Sequence, residues 1–95
     1  MADYKPHLKR AILEVVENQL RAGDPPQTKQ TFDRLVAAGH SEDEATRLIG
    51  CAVSCEMFEV MRDHRVFDLE RFAKALAGLP TMPWDQPGGP YEDRT

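Results

Sequence analysis

The sequence predicts an all-α protein, a compact four-helix bundle with a long central third helix and a disordered C-terminal tail. Apolar residues recur every three or four positions in four separate segments, which is the spacing of one helix face. Capping residues, prolines or glycines stand at the ends of those segments. The final segment is rich in proline, glycine and acidic residues, so we expect a helical domain over 1–79 and a disordered tail over 80–95.

The first helix is predicted over 6–22. Pro6 suits the first helical position, and Gly23 is a typical stop. Its apolar stripe comprises Leu8, Ala11, Ile12, Val15, Val16 and Leu20.

The second helix is predicted over 27–38, between the paired prolines at 25–26 and Gly39. The stiff connection before it indicates that the first two helices form a hairpin. One face of the second helix carries Thr28, Phe32, Leu35 and Val36.

The third helix is predicted over 42–62, where Ser41 and Glu44 form an S-x-x-E capping box. Apolar residues occupy more than half of its circumference, which indicates a central element. One side carries Ala45, Leu48, Ile49, Ala52, Val53 and Val60, and another carries Cys51, Cys55 and Phe58.

The fourth helix is predicted over 69–77, with Asp68 as its N-cap and Gly78 as its stop. Phe67 and Phe72 have the spacing of a hydrophobic staple. We expect one core that comprises Ile12, Val15, Phe32, Leu35, Leu48, Ile49, Ala52, Val53 and Phe72.

Charge and composition limit the classes of partner that the chain is expected to bind. Sixteen acidic and twelve basic residues give a net charge of −4, which opposes non-specific binding to nucleic acid or anionic lipid. Residues 35–50 have the outline of a helix-turn-helix, but the helix that would enter DNA begins with three acids at 42–44. We therefore expect no nucleic-acid and no membrane partner.

With no signal peptide or membrane span in view and only two cysteines, we expect a cytoplasmic protein with reduced thiols.

Three polar residues fall on apolar faces. Gln19 lies at the centre of the first helix's stripe, and Glu56 and Glu59 project within or beside an apolar side of the third. In one interpretation, Gln19 ties down the loop at 23–26 or a neighbouring helix end. In the other, all three line a polar pocket that binds a ligand or a cation.

The two cysteines, Cys51 and Cys55, are four residues apart on a helix and therefore share a face. They could supply two ligands to zinc, with His40 or His64 as further candidates, or they could simply pack in an apolar environment. We expect no cofactor, and no set of residues indicates catalysis.

Four residues are candidates for binding a protein partner. Phe58 and Met61 lie on the second side of the third helix. Either its three short neighbours leave a patch there that suits a homodimer, or they cover this side fully within the monomer. Trp84 and Tyr91 stand in the tail, either as anchors for a partner's pocket or folded back on the bundle.

Several residues together resemble a family of small uncharacterised bacterial helical proteins, classed as a domain of unknown function. The likeness spans about 6–79 and rests on Pro6, Glu17, Gln19, the Asp24-Pro25-Pro26 step, Arg34-Leu35, Gly39 and Glu44-Ala45. The resemblance implies a helical fold, a bacterial cytosolic setting and no known activity.

The same resemblance implies a metal-ligand face. The family pattern has histidines at the positions of Lys9, Leu13 and Arg47, which would act with Glu17. This chain departs from the pattern at all three positions, and Glu17 and Arg47 are candidates for an ion pair instead.

The leading functional hypothesis is a non-catalytic, self-associating protein-protein interaction module. The alternative is a metal- or small-ligand-binding helical protein, or a small enzyme, that uses the inward carboxylates and the cysteine pair. A weaker hypothesis rests on the Leu-x-x-x-Gly-x-Ser pattern at 35–41, which is typical of small three-helix peptide-binding domains.

Overall fold

The structure, a computed structural model, describes residues 4–64 and 66–86. Over these ranges it contains four α-helices, one 3-10 turn and no strand, which confirms the all-α prediction. The elements are α1 (Tyr4–Ala22), α2 (Pro26–Ala37), α3 (Glu42–Asp63), α4 (Leu69–Gly78) and the 3-10 turn (Pro83–Asp85). None of the described helices has the length and apolar character needed to cross a membrane.

The helix boundaries differ from the predicted ones by no more than two residues. The largest difference is at α1, which begins at Tyr4 and not at Pro6. A proline is accommodated in a first turn because the N–H groups there have no partner within the helix.

The long helix α3 is the central element, as predicted. It packs against α1, α2, α4 and the 3-10 turn. The buried apolar core is contributed by all four helices and by Leu79, which follows α4. Of the expected core residues, Val15, Phe32 and Leu48 are partly buried against it. The others are buried within it, and Val16, Ala45, Ala75, Leu76 and Leu79 complete it.

The ends of α3 are closed in two different ways. The Ser41 hydroxyl accepts a hydrogen bond from the Glu44 backbone N–H at 3.0 Å. In a full capping box, the Glu44 carboxylate would also accept a hydrogen bond from the Ser41 backbone N–H. In this structure the carboxylate instead lies 3.1 Å from Nδ1 of His40. At the other end, His64 has a left-handed backbone with φ of 55°, and its N–H donates to the carbonyl of Val60.

The start of α4 has the predicted cap. The Asp68 carboxylate accepts from the backbone N–H of Arg71 at 3.1 Å. The rings of Phe67 and Phe72 lie 5.5 Å apart, which confirms the hydrophobic staple.

The end of α4 is closed by side chains from two other parts of the chain. Arg34 on α2 donates to the carbonyls of Leu76 and Leu79, at 3.0 Å each. The Gln86 carboxamide donates to the carbonyl of Ala75 at 3.0 Å and to that of Thr81 at 2.9 Å. Carbonyls in the last turn of a helix have no i+4 partner within it, and Ala75 and Leu76 lie in that turn. The bond from Gln86 satisfies the Ala75 carbonyl, and the bond from Arg34 adds to the one that the Leu76 carbonyl accepts from the Leu79 N–H.

The predicted disorder of the tail is therefore wrong for residues 80–86. Pro83 and Gln86 are buried, and the 3-10 turn packs on α3 and α4. The composition of this segment concealed the role of Gln86, which satisfies carbonyls that α4 leaves open. The predicted disorder of 87–95 and the placement of Tyr91 lie outside the described residues.

Gly78 makes room for this packing. A Cβ atom on Gly78 would overlap the Gln86 carboxamide, whereas a Cβ atom on Gly50, within α3, would lie 3.4 Å from Ile12 and 3.7 Å from Leu13. The glycine predicted as a helix stop thus also leaves the space that the Gln86 carboxamide occupies.

We expect Gly78→Ala to lower the free energy of unfolding by about 1–3 kcal/mol, because the displaced Gln86 leaves a buried carbonyl without its donor. Gly50→Ala is the matched control, expected to be neutral or to stabilise by up to about 1 kcal/mol through helix propensity. Urea unfolding followed by circular dichroism measures both. Equal stability of Gly78→Ala and the wild type would contradict this role of Gly78.

Candidate functional site

The most enclosed charge described in the structure is the Glu56 carboxylate, whose residue is only 1% exposed. Its Oε1 accepts from Nε of Arg71 at 2.8 Å, and its Oε2 accepts from Nη2 of Arg71 at 2.7 Å and from the Asp68 backbone N–H at 2.9 Å. Two parallel bonds of this kind form the strongest geometry of an arginine-carboxylate pair. Glu56 therefore holds the start of α4 against α3.

Glu59 is also buried, as its position on the helix predicted. Its Oε1 lies 3.7 Å from Nη2 of Arg62 on the next turn. The structure does not place Glu59 in the same cleft as Gln19 and Glu56.

Gln19 makes a bond to the start of α2. Its Oε1 accepts from the hydroxyl of Thr28 at 2.8 Å, and Thr28 is fully buried. The Gln19 backbone carbonyl also accepts from the N–H groups of Gly23 at 2.8 Å and Asp24 at 3.2 Å. Gln19 therefore holds the connection between α1 and α2 in place.

Gln19 and Glu56 meet at a cleft of about 360 Å³, which we call the Met61 cleft. Because the oxygens of Glu56 accept bonds from Arg71 and Asp68, the remaining wall is mostly apolar. The lining residues are Val15, Gln19, Val53, Glu56, Met57, Val60, Met61 and Phe67.

Beside this cleft lies an exposed surface that we call the apolar ridge. It comes from the last turns of α3 and the connection to α4, and it comprises Met57, Phe58, Met61, Val66, Phe67 and Leu69. The exposed fractions are 58% for Phe58, 73% for Met61 and 83% for Val66. The Arg62 guanidinium lies over the Phe58 ring, 5.5 Å from its centroid. The sequence identified Phe58 and Met61 as candidates for binding a partner. It did not predict the exposure of Val66, Phe67 and Leu69.

The cysteine pair is partly buried and both thiols are free. Burial raises the pKa of the Cys51 thiol. Burial, followed by the nearby Cys51, Glu59 and Glu56, raises the pKa of the Cys55 thiol to about 11. Within 4–64 and 66–86, no group of three or more His, Cys, Asp or Glu residues is placed to hold a metal ion, so neither His40 nor His64 joins the pair.

A second cavity, the α1–α3 groove, has a volume of about 420 Å³. It brings together Lys9, Leu13 and Arg47, the three positions at which the family resemblance implies metal ligands. Trp84 lines it as well, so this tail residue folds back on the bundle while 55% of it stays exposed. The lining residues are Leu8, Lys9, Ile12, Leu13, Arg47, Gly50, Cys51, Ser54 and Trp84.

Glu17 lies on the neighbouring surface of α1, in a shallow depression that it shares with Lys9 and Arg10. The expected ion pair between Glu17 and Arg47 is not among the salt bridges of the described part of the chain. The groove and the depression are thus separate features that share Lys9 and Leu13.

Comparison with family models, with curated proteins and with solved structures found no match. The resemblance to a bacterial family therefore stays a prediction. The fold and surface define a four-helix protein with a buried ion pair, an apolar ridge and a cationic groove.

We expect Glu56→Ala to lower the free energy of unfolding by about 3–5 kcal/mol, because it leaves the Arg71 guanidinium without its buried counter-charge. Glu14→Ala removes an exposed carboxylate from α1 and is expected to change stability by less than about 0.5 kcal/mol. Urea unfolding measures both variants. A loss for Glu56→Ala no larger than that for Glu14→Ala would show that the pair does not hold the fold.

The thiol pKa values predict slow alkylation, because the thiolate is the reactive form. With iodoacetamide at mildly alkaline pH, both cysteines should react more slowly in the folded protein than in urea, and Cys55 should be the slower. Its rate should keep rising as pH passes the ordinary value of 9.0 towards about 11. Peptide mapping by mass spectrometry resolves the two sites, and equal rates in folded and unfolded protein would contradict this assignment.

Proposed function

We propose that this protein is a non-catalytic, cytoplasmic interaction module that self-associates through the apolar ridge. The observation that carries the proposal is the exposure of six large apolar side chains in one short stretch of the fold. Monomeric proteins rarely present large contiguous apolar patches, and such patches commonly mark protein-protein interfaces.

A second copy of the chain suits this surface because projecting side chains lie beside a cleft. Phe58 projects from the ridge, and the Met61 cleft next to it is walled by apolar groups. A two-fold axis places the same surface of both copies in contact, so each copy can offer a projecting ring and a cleft at once. Met57 and Met61 line the cleft, and methionine side chains adapt readily to the shape of a partner.

The ridge is also held in shape before any partner arrives. Glu56 binds both Arg71 and the backbone of Asp68, and this fixes the connection from which Phe67 projects. A surface that is already ordered loses less conformational entropy on association. Association would in turn add buried area to a domain of about 80 residues, whose own core is small.

Other classes of partner have less support. The first turn of α3 carries Glu42, Asp43 and Glu44, which would repel phosphates. The alternative hypothesis, a ligand site built on the inward carboxylates, needs Glu56, whose oxygens already accept three hydrogen bonds. A partner can contact the apolar ridge without breaking any of these three hydrogen bonds.

We expect the wild-type protein to sediment as a dimer and the double variant Phe58→Glu/Met61→Glu to sediment as a monomer, because two carboxylates cannot be buried at an apolar interface. Val36→Glu is the control, since Val36 is an exposed apolar residue on α2 and is not one of the six ridge residues. Analytical ultracentrifugation over a range of concentrations measures the association. A wild-type protein that stays monomeric, or a double variant that associates like the wild type, rules out self-association through this surface.

A further inference from the structure

We propose that the α1–α3 groove binds a medium-chain aliphatic carboxylate, with the hydrocarbon chain between α1 and α3 and the carboxylate at Lys9 and Arg47. The groove shares no lining residue with the Met61 cleft, so this inference is independent of the proposed self-association.

The size and walls of the groove suit a small apolar body. Its volume of about 420 Å³ lies within the range of small-molecule pockets, which is about 300–1,000 Å³. Leu8 and Ile12 contribute aliphatic surface from α1, and Trp84 contributes an indole ring from the segment after α4. On α3, Gly50 has no side chain to fill the groove.

The charges of the groove select the head group. Among the described residues that line it, two are charged, Lys9 and Arg47, and both are cationic, in a chain whose net charge is −4. Both side chains are exposed, and neither is paired with a carboxylate among the described salt bridges. Two unpaired cations at the edge of an apolar groove complement one anion attached to an apolar chain.

The other described polar groups that line the groove carry no negative charge, whereas Glu14 and Glu17 lie in the neighbouring depression that Lys9 also lines. Ser54 offers a hydroxyl, and burial raises the pKa of the Cys51 thiol, which keeps it neutral near pH 7. Within 7–64 and 66–86, the residues that line the groove therefore supply apolar surface, two cations and no carboxylate.

Trp84 provides a direct measurement, because it is the only tryptophan in the chain and it lines the groove. The full-length protein is titrated with monomeric laurate, with dodecanol and with dodecyltrimethylammonium, which share a twelve-carbon chain and differ in head-group charge. We expect a saturable change in Trp84 emission with laurate, and affinities for the other two that are lower by about fivefold or more. Laurate binding should also weaken as salt is added, because the two cations are exposed.

The variant Lys9→Glu/Arg47→Glu is expected to bind laurate about tenfold or more weakly while its affinity for dodecanol is unchanged. Arg21→Glu/Lys74→Glu makes the same change in net charge at exposed positions outside the groove and should bind laurate like the wild type. Circular dichroism confirms that each variant is folded.

Three results would overturn the proposal. The first is the absence of saturable laurate binding by both fluorescence and calorimetry. The second is equal affinity for the three amphiphiles, or an affinity for laurate that Lys9→Glu/Arg47→Glu leaves unchanged, since either result means apolar adsorption without head-group recognition. The third is a response to anionic phospholipid vesicles without any response to monomeric laurate, which would identify a lipid surface and not a free carboxylate as the ligand.

Discussion

The ion pair between Glu56 and Arg71 is the interaction on which the arrangement of the helices depends. A carboxylate this deeply buried is costly to remove from water, and the cost is offset only when its oxygens are fully hydrogen-bonded. Here Arg71 and the Asp68 backbone supply those bonds. Because both donors lie at the start of α4, one side chain on α3 holds that end of α4 in place. With the start of α4 held in this way, Val66 and Phe67 in the short connection before it are exposed to solvent. Their exposure contributes to the apolar ridge.

The far end of α4 is closed by the same kind of polar contact. Arg34 and Gln86 come from opposite sides of α4 in the sequence, and each donates to carbonyls near its last turn. One face of this ten-residue helix, formed by Phe72, Ala75 and Leu76, is apolar and buried, so its placement rests on core packing and on polar bonds at both ends. The contact through Gln86 also returns the chain towards the bundle, and this return brings Trp84 to the α1–α3 groove.

The sequence predicted the features that local rules govern. The four helices, the caps at Ser41 and Asp68 and the central place of α3 follow from periodicity and from contacts within a turn or two. The inward position of Glu56 was also predictable from its place on an apolar face, but its partner was not, because Arg71 lies fifteen residues away and its direction depends on how α4 packs. Disorder of 80–86 was predicted from composition, and this prediction failed for a related reason. Composition counts prolines, glycines and acidic residues, but it does not show that a single amide can satisfy a carbonyl elsewhere in the chain. The exposure of Val66 and Leu69 likewise depends on a tertiary bond and has no signal in the local pattern.

The contact between Gly78 and Gln86 has a consequence for how this sequence can diverge. With glycine at position 78, the carboxamide at position 86 has room to reach the Ala75 carbonyl, and with any larger residue it must move from its present position. If either Gly78 or Gln86 is substituted, this contact no longer favours the present residue at the other position. In an alignment of descendants of this chain, the two columns should covary although eight residues separate them, and a glycine at 78 should persist chiefly in sequences that keep glutamine at 86.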